Sequence, residues 1–114
     1  MKSRKRSRIM YIELKSWHGH NDNGPARIGR VYFSKTGKTL YYRGRRLRSA
    51  KGAEFCGNYY DLQTGDVFWI SGCKKNGRDR HPVGYGPLAI DDNVRREYWT
   101  EIRGQPDRIH ETRA

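Results

Sequence analysis

The sequence predicts an α+β domain that is mainly β: about five mostly antiparallel strands in a curled or partly closed sheet, with one C-terminal helix laid across it. Three observations point there. Short runs alternate apolar and polar residues. Polar turns containing Gly separate those runs. A single stretch near the end repeats its apolar residues at helical spacing.

The elements follow in order. Residues 9–15 place Met10, Ile12 and Leu14 on one side and Tyr11, Glu13 and Lys15 on the other, the period of a strand. Residues 17–25 are full of turn formers and read as a loop. Residues 26–34 and 39–48 are β-rich, and the polar run around Gly37 joins them as a hairpin. Residues 54–62 and 66–73 form a second hairpin, in which Phe55, Tyr59, Tyr60, Phe68, Trp69 and Ile70 supply much of the core. Residues 79–87 hold two Pro and two Gly and read as irregular. Asp91 or Asp92 can cap a helix over 93–103, with Val94, Tyr98 and Ile102 as one stripe and Trp99 beside it. Gly104 and Pro106 stop that helix.

Domain boundaries follow from charge and apolar pattern. Residues 1–8 carry five cations and no acid, which predicts a disordered basic arm. Residues 9–106 form the single β-rich domain, and the polar residues 107–114 are expected to fray. No run of 18 apolar residues occurs, so no membrane association is expected. The two cysteines, Cys56 and Cys73, do not make a disulfide framework, and the expected compartment is the cytoplasm.

The excess of 24 Lys and Arg over 12 Asp and Glu is local, and so it points to a surface. Residues 24–53 hold nine cations and no acid. If Val31, Phe33, Leu40 and Tyr42 point inward, Arg30, Tyr32, Tyr41, Arg43 and Arg45 share the outer face, with Arg46 beside them. Guanidinium groups pair with phosphate oxygens and rings stack on unpaired bases, so this face predicts RNA or single-stranded nucleic acid as partner. The alternative partner is a protein, recognised by the sheet face or by the helix face bearing Arg95, Arg96, Glu97 and Glu101.

Other motifs carry less. The run ending in Gly37, Lys38 and Thr39 has Tyr32 where a phosphate-binding loop needs Gly, and it reads as a turn. His18, His20, Cys56, Cys73 and His81 lack the tight pairs of a zinc site, so no metal ligands are assigned. A catalytic reading would set His81 beside Asp61 or Asp79, with Arg80 and Tyr85 on an anion, yet nothing in the spacing makes these groups meet. No catalytic residue is assigned, and a non-enzymatic binding module is the expected class.

The stretch from Tyr11 to Arg45, the pair of strands around Gly65, the segment Cys73–Arg80 and the run from Ile90 to Pro106 resemble a small bacterial family. Its members often carry the name 1-deoxy-D-xylulose-5-phosphate synthase. The resemblance covers residues 11–106 and implies one coherent fold, with Met10 as the ancestral start and residues 1–9 as an extension. The chemistry in that name requires thiamine diphosphate and Mg²⁺, held in similar enzymes by a Gly-Asp-Gly segment and a later Asn. No Gly-Asp-Gly occurs here, so no cofactor is expected.

Overall fold

The computed structural model describes residues 6–16, 26–49, 57–77 and 88–114. Six strands close an antiparallel barrel in simple up-and-down order. They are β1 (Arg6–Ser16), β2 (Ala26–Phe33), β3 (Thr39–Tyr42), β4 (Arg45–Ser49), β5 (Tyr59–Asp61) and β6 (Val67–Gly72). Each strand pairs with the next, and β1 closes the ring on β6, from Met10↔Gly72 to Ser16↔Val67. A seventh strand, β7 (Ala89–Ile90), runs parallel to the start of β2, where β3 does not reach.

The alternation predicted for β1 holds, but both of its faces are covered. Met10 and Ile12 join Val31, Leu40, Tyr42, Leu47, Phe68 and Ile70 inside the barrel. Ile9 and Tyr11 face outward into a second core with Ile28, Ile90, Val94, Tyr98 and Trp99. Further along the same outer row Glu13 and Lys15 are also buried; the Tyr11 hydroxyl donates to Glu13, and the Lys15 ammonium lies 3.1 Å from its Oε2. The inward placement of Val31, Phe33, Leu40 and Tyr42 agrees with the expectation.

The second core exists because the chain from residue 92 onward packs on the outside of the barrel. The predicted helix over 93–103 is a segment of changing pitch: a 3-10 turn (Asp92–Val94), an α turn (Arg95–Glu97) and a wider π turn (Tyr98–Ile102). Its stripe is as expected, with Val94, Tyr98 and Trp99 at zero exposure and Ile102 packed against them. The wide turn sets Tyr98 edge-on to Trp99, ring centres 5.1 Å apart.

Four expectations need correction. The sheet is a closed barrel of six strands plus one, rather than a partly closed sheet of about five, because β1 has a partner on each edge. Residues 39–48 are two strands that reverse at Arg43 and Gly44. The expected arm and extension overlap β1: Arg6, Ser7, Arg8 and Ile9 pair with Phe33, Tyr32, Val31 and Arg30. Residues 1–5 lie outside the described residues. The tail is docked, because its backbone completes the edge of β7: Ala114 exchanges both bonds with Leu88, and the Ile90 amide donates to Thr112 O at 2.9 Å.

Candidate nucleic-acid interface

The outer face of β2 to β5 is set by strand register. One row across the sheet reads Ser7, Tyr32, Tyr41, Arg46, with Leu62 next, its amide bonded to Arg46 O at 2.9 Å. The row below pairs Thr39 with Arg48 and Arg48 with Tyr60. Two ring–cation pairs, Tyr41 with Arg46 and Tyr60 with Arg48, therefore stand on directly opposed positions beside the Tyr32–Tyr41 pair, close enough to act as one surface. Tyr32 and Leu62, the two large apolar side chains exposed among the described residues, both belong to the first row.

The charge of this face is uncompensated locally. Among the described residues Lys35, Lys38, Arg46 and Arg48 have no carboxylate within ion-pair distance. Arg30 stands at its margin, bonded to Ser7 Oγ at 3.0 Å and to the Glu97 carboxylate.

Arg43 and Arg45, expected on this face, belong elsewhere. Arg43 and Gly44 have φ of 49° and 78°, positive at both positions, and they close a two-residue turn of the I′ kind. Such a turn puts its flanking residues on the same face, so Arg45 lies opposite Tyr42 and shares its inward side. Arg45 Nη1 bonds Asp61 Oδ2 at 2.6 Å and its guanidinium lies 5.0 Å from the centre of the Phe68 ring. Of the expected residues, the fold thus brings Arg30, Tyr32, Tyr41 and Arg46 together outside and turns Arg43 and Arg45 to the barrel mouth. Arg48 and Tyr60 were missed, although the alternation through 45–49 would have given Arg48 once the turn was recognised.

The mouth also holds Asp91, whose place in the sequence is that of a helix cap. Asp91 caps nothing with its side chain. Instead its carboxylate accepts from Arg27 Nε at 2.7 Å, from the Tyr42 hydroxyl at 2.7 Å and from Arg43 Nη2 at 3.3 Å. Burial first, and then the bond to Asp91, raise the Tyr42 phenol above its ordinary value, so it remains a proton donor. Gly29 makes the approach possible, since a Cβ there would lie 2.4 Å from Asp91 Oδ2.

Among the described residues no three His, Cys, Asp or Glu side chains converge on a point where a metal ion would sit. Cys73 is half-buried against the outer core, and His18, His20, Cys56, His81, Asp79, Arg80 and Tyr85 lie outside the described residues. The described residues do not fit thiamine diphosphate and its Mg²⁺, because each buried carboxylate among them is already engaged: Glu13 by Lys15 and Tyr11, Asp61 by Arg45, and Asp91 by Arg27 and Tyr42. No helix among the described residues is long and apolar enough to cross a membrane. Searches with the chain against models of protein families, curated proteins and solved structures return no match.

Proposed function

We propose that the protein is a binding module for RNA or single-stranded DNA, and that the ligand lies across the outer face of β2 to β5. One observation carries the reading: the row Tyr32, Tyr41, Arg46 continues the exposed apolar surface to Leu62 and runs beside Arg48 and Tyr60. Cations on such a face neutralise phosphates, and rings beside them accept unpaired bases, which favours a single strand over a duplex. Arg46 and Arg48 carry phosphate, with Arg30 at the margin and Lys35 and Lys38 at the hairpin below. Tyr32 and Tyr41 carry stacking. A protein partner on the helix draws less support, because Val94, Tyr98 and Trp99 spend that segment's apolar surface on the barrel.

The test is fluorescence anisotropy with a labelled mixed-sequence single strand across a salt series. Affinity should fall with salt, and changing Arg46 and Arg48 to Ala should lower the slope of log affinity against log salt by about 1.4, the release expected for two phosphates. Tyr32→Ala should cost about 1–3 kcal/mol at every salt concentration. Absence of binding at low salt, or equal binding by a duplex, would overturn the reading.

A further inference from the structure

The upper mouth of the barrel is a second site, independent of the outer face. A cavity of about 260 Å³ opens there over an apolar floor of Ile12, Leu14, Phe68 and the Tyr42 ring. Three guanidinium groups, those of Arg27, Arg43 and Arg45, stand around its rim. Ligand sites commonly combine such an apolar lining with a few placed polar groups, and this volume lies just below the usual range, so its occupant is small.

The rim is preorganised to receive an anion. Carboxylates hold each guanidinium through one nitrogen: Arg27 by Nε and Arg43 by Nη2 on Asp91, Arg45 by Nη1 on Asp61 at 2.6 Å and on Asp66 at 3.4 Å. Each fork presents five N–H donors, and a carboxylate or phosphate can take two in parallel. The rotamers of Arg27 and Arg45, already fixed by Asp91 and Asp61, lose less freedom when a ligand arrives. The acids are themselves partly satisfied by neutral donors, Asp61 by the Gln63 and Thr64 amides and Asp91 by Tyr42.

A second observation is the backbone of Arg43. It is the single residue other than Gly with positive φ among the described residues, at 49°. That conformation strains a long side chain, whereas Asn followed by Gly would hold the same turn with ease. What Arg43 gains within the chain is slight: a 3.3 Å contact with Asp91 from a side chain 57% exposed, and a 5.9 Å approach to the Tyr42 ring. Strain kept at a site without a matching structural gain is the pattern of a binding residue.

From cavity, rim and strain together, we propose that the upper mouth binds a small amphipathic anion, with a carboxylate or phosphate clasped by Arg27, Arg43 and Arg45 and a flat apolar body resting on Phe68 and Ile12. Phosphate and carboxylate share the guanidinium chemistry, and the test separates them.

The full chain is titrated with phenyl phosphate, phenylacetate and the neutral phenylethanol, following the arginine Nε–H and the Phe68 and Tyr42 ring signals by NMR. At least one anion should shift Arg43, Arg45 and Phe68 saturably, and the tighter of the two identifies the headgroup. Phenylethanol should bind about tenfold more weakly or worse, and Arg43→Asn should lose about tenfold in anion affinity while melting no lower than the parent. Should Arg43→Asn fail to fold, Arg43→Gly, which has no Cβ to strain, reads the same loss. Arg46→Ala should leave anion binding unchanged, so this site and the outer face fail separately. The proposal is overturned if neither anion saturates these signals, if phenylethanol binds as tightly, or if the Arg43 variant keeps its affinity.

Discussion

The Tyr42 hydroxyl donates to Asp91 at 2.7 Å, and through this bond the interior of the barrel holds the segment that wraps its outside, 49 residues further along the chain. Gly29 leaves room for it, and Arg27 completes the charge balance of the buried carboxylate. Tyr42→Phe removes the neutral donor from a carboxylate that is 5% exposed, and should cost about 1–3 kcal/mol in chemical denaturation. Gly29→Ala should cost at least as much, because the new Cβ meets Tyr42 Cε1 at 2.6 Å as well as Asp91. Wild-type stability in both variants would show that the bond contributes nothing.

Acid should weaken the protein through Asp61. Burial alone would raise this carboxyl, but the Gln63 and Thr64 amides and the Arg45 guanidinium outweigh it and hold it below its ordinary value. The unfolded chain therefore takes up the proton first. Stability from Asp61 is fully present above about pH 4 and is lost as pH falls through the lower, folded-state value. Asp61→Asn should melt lower at neutral pH and decline less steeply below about pH 4 than the parent. An unchanged acid limb in thermal melts would contradict this.

Trp99 anchors the outer core. It is fully buried, its Nε1–H donates to Glu111 O at 3.0 Å, and the guanidinium of Arg108 lies 4.2 Å from its ring centre. Trp99→Ala should cost about 3–5 kcal/mol. Removing residues 107–114 should also lower the melting temperature, since the deletion takes the acceptor for Trp99 and the partners of Leu88 and Ile90. A shortened chain with unchanged melting would restore the expectation of a frayed tail.

A chain starting at Met10 should be less stable than one starting at residue 6. It would lose the four pairs from Arg6↔Phe33 to Ile9↔Arg30, and with them the buried Ile9 side chain. Burial of a side chain of that size is worth about 1.5–3 kcal/mol. Equal melting temperatures for the two chains would mean that this end of β1 does not contribute.

How much of this was legible follows from what local pattern can encode. Alternation located β1 and the inward set Val31, Phe33, Leu40 and Tyr42, because a strand with buried residues declares its period, while β-rich composition between turns located β2 and β6. The reversal at Arg43 was hidden because Arg is a poor resident of a turn that needs positive φ, and with it went the side on which Arg45 lies. Asp91 stands where a cap belongs, so its partner Tyr42 could be found only in three dimensions. Closure was hidden too, since nothing in residues 9–15 names β6 as the second neighbour. The docked tail is held by backbone bonds and by the rings and guanidiniums around Trp99, which leave no apolar period to read.

The up-and-down order has a kinetic consequence. Five of the barrel's strand pairs join consecutive strands and can form as the chain emerges, each closing only a short loop. The pair β1–β6 spans the whole barrel and cannot form until Gly72 is free of the ribosome. Until then one edge of β1, carrying Tyr11, Ile12 and Leu14, stands open to pair with another chain. Holding the chain when β5 but not β6 has emerged should therefore raise misassembly, whereas a hold after Gly72 has emerged should not.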